Sequence, residues 1–136
     1  MNAAFTIHAA PTGKARPRVT SHGTYTPRKT KEYEALVRSE YGIQCGNTHF
    51  GDAPLVVYIT AYYPIPKSAS KAKREKMIHF EIAPKVKPDF DNVCKAVCDA
   101  LNGIAYRDDA QIVEAHFHKW YGEESCVKVV IEEYHP

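Results

Sequence analysis

The chain has 136 residues, of which 44% are hydrophobic and 25% charged, and its net charge is only +2. That balance describes one globular domain with enough chain for a real core, and it excludes disordered and fibrous classes. No apolar run approaches the roughly 20 residues of a membrane span. The N-terminus also lacks the basic-then-apolar order of a secretory signal, so the cytoplasm is the expected compartment.

In chain order, residues 4–9 alternate Phe5, Ile7 and Ala9 against Thr6 and His8, which predicts a strand. Residues 11–27 hold Pro, Gly, Thr and basic side chains and read as a loop with a short hairpin near Gly23. Residues 28–45 suit a helix with Tyr33, Leu36, Val37 and Tyr41 as its apolar stripe. Residues 54–63 (PLVVYITAYY) are β-branched and aromatic and predict a central strand that ends at Pro64-Ile65-Pro66. Ser68 is the expected cap of a basic helix running to about 79. A further helix is expected over about 89–102. It begins after Pro88 with Asp89 as N-cap, carries Phe90, Cys94, Val97 and Leu101 on its packing stripe, and ends at Asn102-Gly103. Residues 111–120 alternate Val113, Ala115 and Phe117 against Glu114, His116 and His118, and residues 125–134 alternate Val127, Val129 and Ile131 against Lys128, Val130 and Glu132. These two are expected to form an antiparallel hairpin turning at Gly122. The fold class is α/β in the broad sense (α+β), a small mixed sheet of about four strands packed with two to three helices, in a single domain spanning 1–136.

Charge is distributed unevenly. Residues 1–88 hold 14 Lys and Arg against 6 Asp and Glu, whereas residues 89–136 hold 4 against 10. A basic first part fits a phosphate-backbone partner, and an acidic second part fits a site that holds cations. Two basic groups stand out: Lys14, Arg16 and Arg18 in the first loop, and Lys67, Lys71, Lys73, Arg74, Lys76, Lys85 and Lys87 before the acidic stretch. Arg suits bidentate phosphate contact. From these, Lys14, Arg16, Arg18, Lys73, Lys76, Lys85 and Lys87 are the candidate DNA contacts. Cys45, Cys94, Cys98 and Cys126 show no Cys-x-x-Cys pair, so they read as reduced, half-buried thiols rather than a zinc site. His116 and His118 share a strand face at a metal-compatible spacing, but no third ligand accompanies them.

The densest chemistry lies between residues 89 and 109, where Asp89, Asp91, Lys95, Asp99, Asp108 and Asp109 occur together. Clustered carboxylates repel one another unless a cation neutralises them. A hard divalent ion with oxygen ligands does this and also suits phosphoryl chemistry. At helical spacing Asp91, Lys95 and Asp99 fall on one face, apart from the packing stripe.

The run KPDFDNVCKAVCDALNGIAYRDDAQIVEAHFHK, with Pro-Asp-x-Asp-Asn, a Lys four residues on, Asp-Ala-Leu-Asn-Gly and Asp-Asp-x-Gln, resembles the signature of the RusA family of Holliday junction resolvases of bacteria and their phages. The early Arg-Pro-Arg, the basic middle and the two closing strands extend the likeness over nearly the whole chain. The resemblance implies Mg²⁺ as cofactor (Mn²⁺ as the alternative), with Asp89, Asp91 and Asp109 as metal-holding acids and Asp108 either ligating or supporting them. It implies that Lys95 is the catalytic lysine, placing positive charge near the scissile phosphate or orienting the water. Asn92 and Asp99 are expected in support, Asp99 by pairing with Lys95. The implied partner is branched DNA in the nucleoid, cut by a homodimer with two symmetric nicks. Residues 54–63 and 111–121 are the candidate dimer surfaces. Two alternatives stay open: a nuclease of the same fold acting on other branched DNA, and a DNA-binding module with an inactive metal site.

Overall fold

The computed structural model describes residues 1–15 and 18–136, without the Arg18 side chain, so the expected DNA contacts at Arg16 and Arg18 lie outside the described residues. The order is β1 (Asn2–Ile7), β2 (Arg18–Thr20), β3 (Gly23–Tyr25), α1 (Arg28–Cys45), β4 (Leu55–Pro64), α2 (Lys71–Ile78), α3 (Phe90–Ala100), a 3₁₀ turn (Asp109–Gln111), β5 (Ile112–Gly122) and β6 (Cys126–Glu133). Four strands make one mixed sheet in the order β1-β6-β4-β5, and β2 and β3 pair separately as the small hairpin expected near Gly23. With the helices, this is the α+β fold read from the sequence.

The closing hairpin is not formed. β4 lies between β5 and β6, parallel to the first and antiparallel to the second. The β5–β6 connection therefore passes over the end of β4, and Gly122 permits it: a Cβ there would sit 3.0 Å from Tyr62 Cβ and 3.1 Å from the Glu124 carbonyl oxygen. Alternation reports which face a residue takes and is silent on which strand lies beside it, so the pattern of β5 and β6 was legible and their pairing was not. Because β4 is interior, its edges are closed to another chain. In this four-stranded sheet the edge strands are β1 and β5.

One sheet face carries the core. Ala3, Phe5 and Ile7 of β1, Leu55, Val57, Ile59, Ala61 and Tyr63 of β4, and Val127, Val129 and Ile131 of β6 are all buried. Against them pack Tyr33, Val37 and Tyr41 of α1 and Val93, Ala96, Val97 and Ala100 of α3. The Tyr41 ring meets Phe5 edge-on at 5.3 Å, and its hydroxyl donates to the Thr48 carbonyl. On the opposite face Tyr58 stacks on His116 at 4.8 Å, and Lys128 Nζ lies over the Tyr62 ring.

Several boundaries shift. β1 begins at Asn2 rather than residue 4. The cap of α2 is Ser70, whose hydroxyl accepts from the Lys73 N–H, not Ser68. On α3 Val97 and Leu101 of the expected stripe are buried and Cys94 is half-buried, Val93, Ala96, Cys98 and Ala100 join them, and Phe90 alone of the expected four is left 62% exposed, against Phe117. Small side chains, invisible to a search for large apolar residues, let α3 lie close to the sheet.

Candidate active site

The acidic stretch is set in place by its own backbone. The Tyr63 hydroxyl, projecting from β4, donates to the Pro88 carbonyl at 2.6 Å and fixes the approach to α3. From the other side the first loop closes in, with the Lys14 N–H donating to the Asn92 carbonyl at 3.3 Å. Gly13 lies so near that a Cβ would stand 3.1 Å from Pro88 and 3.3 Å from Asn92. Asp89 takes the N-cap position as expected, yet its carboxylate makes no cap hydrogen bond and binds Lys87 Nζ at 2.8 Å instead. Asp91 and Asn92 are exposed on the first turn, where a carboxylate is favoured by the helix dipole.

At the far end of α3, Gly103 (φ +78°) turns the chain and the Tyr106 hydroxyl donates to the Cys98 carbonyl. The Asp109 N–H then donates to Asn102 Oδ1 at 2.8 Å. Gln111 anchors this turn: its Oε1 accepts from the Asp108 N–H, and its Nε2 donates to the Gly51 and Ala53 carbonyls. Asp108 in turn accepts from the Ala110 N–H. These contacts carry Asp109 back onto the Asp99 carboxylate.

Four charged side chains connect there. Asp99 Oδ2 receives Lys14 Nζ at 2.9 Å and Lys95 Nζ at 3.4 Å, and Lys14 also reaches Glu34 Oε1 of α1 at 3.1 Å. Burial raises the Asp99 pKa, but hydrogen bonds from Lys14 and Asp109 outweigh it and hold the carboxyl below its ordinary value. Asp109 goes the other way: burial, then the Asp99 and Asp108 carboxylates, push it up to about 6. The pair thus behaves as one ionised acid beside one that keeps its proton readily. Burial alone would lower the Lys14 pKa, yet its two carboxylate partners raise it overall.

The structure therefore joins Lys95, Asp99, Asp108 and Asp109, and separately joins Asp89 with Lys87. Asp91 stands two helical turns from Asp99, roughly 12 Å along the axis. Among the described residues no three His, Cys, Asp or Glu side chains gather round one point at metal-holding distance. The donor chemistry fits a hard divalent cation, being carboxylate oxygen throughout, with the Asp99 and Asp108 carboxylates crowded on Asp109 and their repulsion of a kind that such a cation relieves. The side-chain positions do not by themselves bring Asp89 and Asp91 onto the same point as Asp109.

Of the expected DNA contacts, Lys73, Lys76, Lys85 and Lys87 are exposed, Lys87 while paired with Asp89. Lys14 is not: its ammonium is taken up between α1 and α3. Sequence reasoning missed Glu34, which no local pattern links to a residue twenty positions earlier. It also missed Lys119, whose Nζ donates to the Val86 carbonyl and lies over the Tyr63 ring. The cysteines are free, and burial pushes the Cys94 and Cys98 thiols up to about 11 and about 12, so both stay protonated near neutrality. Among the described residues, no helix is long and apolar enough to cross a membrane.

Comparisons with known proteins supply the class of this fold. Residues 8–132 match the family model described as endodeoxyribonuclease RusA. The chain is also similar to the uncharacterized protein YqaN of Bacillus subtilis (strain 168), 37% identical over 138 residues that cover 95% of this chain and 94% of that one. The chain belongs to the RusA endodeoxyribonuclease family. That membership supports a nuclease acting in DNA recombination.

Proposed function

We propose that this chain resolves four-way DNA junctions by paired symmetric nicks, as a homodimer dependent on Mg²⁺ or Mn²⁺. What carries the reading is the linkage of Lys95, Asp99 and Asp109 at one end of α3, inside the span that matches the family. Asp89, Asp91 and Asp109, assisted by Asp108, are the residues that would hold the metal. When bound there, the ion supplies an activated water and neutralises charge growing on the phosphate. Lys95, with its side chain 62% exposed, is free to meet a phosphate oxygen in the same transition state. Asp99 orients Lys95, and Lys14 holds Asp99 in turn, which makes Lys14 a positioning residue rather than a DNA contact. Asn92 ties the first loop to this helix through its carbonyl. Lys73, Lys76, Lys85 and Lys87 supply salt-sensitive attraction to the DNA backbone.

The test is cleavage of a labelled synthetic four-way junction beside a linear duplex and a flap, with Mg²⁺ and with chelator. Symmetric nicks in the junction alone, lost with chelator, support the reading. Equal cutting of flap or duplex would favour a broader structure-selective nuclease. Junction binding with no cut in either Mg²⁺ or Mn²⁺ would favour an inactive binding module. Asp91→Asn is expected to lose more activity than the roughly 10–100-fold typical of a supporting partner, with junction affinity kept. Intact cleavage in Asp91→Asn would remove Asp91 from the site.

A further inference from the structure

Residues 83–88 lead into Asp89 and lie outside every helix and strand. Among the described residues no backbone-to-backbone hydrogen bond ties this segment. Two side chains of the sheet hold it instead. Tyr63 of β4 donates its hydroxyl to the Pro88 carbonyl at 2.6 Å, and Lys119 of β5 donates Nζ to the Val86 carbonyl, also at 2.6 Å. β4 and β5 run parallel, with Ala61 beside Lys119 and Tyr63 beside Tyr121. The two donors therefore stand on one sheet face, two residues apart along the strands. Lys119 Nζ also lies 4.7 Å from the centre of the Tyr63 ring, which joins the donors to each other. Tyr63 is buried and Lys119 half-buried. Alternate carbonyls, at 86 and 88, are thus pinned on either side of Lys87.

We propose that Lys119 is a positioning residue of the nuclease site: with Tyr63 it clamps the Val86 and Pro88 carbonyls and so sets where Asp89 presents its carboxylate to a divalent cation. The proposal rests on the reading of Asp89 as a metal-holding acid. α3 does not orient that carboxylate, which makes no cap hydrogen bond and pairs only with Lys87, a side chain 84% exposed. Its position therefore depends on the backbone, and the backbone is fixed one residue earlier, at the Pro88 carbonyl. Carboxylate sites for hard cations owe their affinity to ligand charge and to rigidity. A loose segment must be ordered each time an ion binds, which weakens binding and leaves the chemistry of the bound ion intact. The sign of the effect separates a clamp from a simple charge. An ammonium repels a nearby dication, so loss of Lys119 as a charge alone would tighten cation binding. Loss of Lys119 as a clamp weakens it.

Lys119→Met keeps the stem and drops the ammonium, Lys119→Arg keeps a charged donor, and Tyr63→Phe removes only a hydroxyl. Mn²⁺ binding to the full chain without DNA, read from the spin resonance of the free ion, is expected to weaken about tenfold in Lys119→Met and in Tyr63→Phe, the low end for a partner that orients a metal ligand. Lys119→Arg should recover most of it. Junction cleavage should need correspondingly more Mn²⁺ for its half-maximal rate, with the rate at saturating Mn²⁺ little changed. Lys128→Met, which removes the like contact over the Tyr62 ring on the other sheet face, should alter neither quantity. Tyr63→Phe, which keeps its ring in the core, decides the matter if Lys119→Met fails to fold. Mn²⁺ binding that is unchanged or tighter in Lys119→Met overturns the proposal. So does a loss of junction affinity in chelator with Mn²⁺ binding intact, which would make Lys119 a DNA contact. Asp89→Asn separates the clamp from the reading beneath it. If Asp89→Asn loses Mn²⁺ binding and Lys119→Met does not, the clamp alone fails. Unchanged Mn²⁺ binding in Asp89→Asn overturns both the clamp and the metal role of Asp89.

Discussion

At the β1 edge the outward backbone is closed by α1. The Thr6 N–H donates to Gln44 Oε1 at 2.8 Å and Gln44 Nε2 returns to the Thr6 carbonyl at 2.7 Å, while the His8 N–H donates to Glu40 and the Cys45 thiol reaches the Ala4 carbonyl. At the β5 edge, residues 113–116 have no such cover. The closure works because four helical residues advance about 6 Å and two strand residues about 6.6 Å. Glu40 and Gln44 therefore stand in step with His8 and Thr6, and their side chains act as a substitute strand. An edge finished in this way cannot recruit another chain, which leaves β5 as the sheet's one available partner edge among the described strands.

The most damaging way to break the comparison is to loosen the helix that closes β1. Tyr41 is fully buried, meets Phe5, and holds the Thr48 carbonyl. Tyr41→Ala should cost about 3–5 kcal/mol from lost contacts and the cavity left behind. Urea unfolding should show the midpoint fall with little change in slope. The matching truncation on the open edge, Val113→Ala, should lie within about 0.5 kcal/mol. Similar losses at both positions would mean that β5 is held as tightly as β1.

A smaller break removes the substitute strand but keeps the packing. Gln44→Ala strands the Thr6 N–H and carbonyl at an exposed position where water partly replaces the lost bonds, so about 0.5–1.5 kcal/mol is expected. Hydrogen exchange sharpens this. The Thr6 amide should be protected in the unsubstituted chain and should exchange faster in Gln44→Ala, with amides elsewhere in the sheet unchanged. An unchanged Thr6 amide would show that Gln44 does not close the edge.

The contrast between edges also marks what the sequence could carry. The strands at 54–63 and 125–134, the helix at 28–45 and the acidic helix were legible because their patterns are local. The Lys95–Asp99 pair was legible for the same reason, being one helical turn apart. Closure of β1 by Gln44, capture of Lys14 by Glu34 and Asp99, and insertion of β4 between β5 and β6 were not legible. Each joins residues far apart in the chain, and no spacing rule spans such a gap. The stripe of α3 was read in part: Val97 and Leu101 are buried as expected, but Phe90 was taken for a core residue because it is large and apolar, while the small Ala96 and Ala100 were passed over.

The finest test of the closed edge is its pH dependence. Glu40 is held below the ordinary Glu value, first by the His8 side chain, then by the His8 N–H, with Gln44 adding to these and burial opposing them. A folded-state pKa depressed in this way contributes stability above the ordinary carboxylate range and loses it as pH falls through the lowered value. The carboxylate faces His8 and Gln44, and most of the effect is that of a solvent-screened pair, so it should be small. Glu40→Gln is expected to melt slightly lower than the unsubstituted chain near neutrality, with the gap closing below about pH 4.5, the ordinary Glu value. Paired thermal melts from pH 7 to pH 3 would check it. A gap that stays constant over that range would mean that Glu40 closes the edge through its shape and hydrogen bonding alone, with no contribution from its charge.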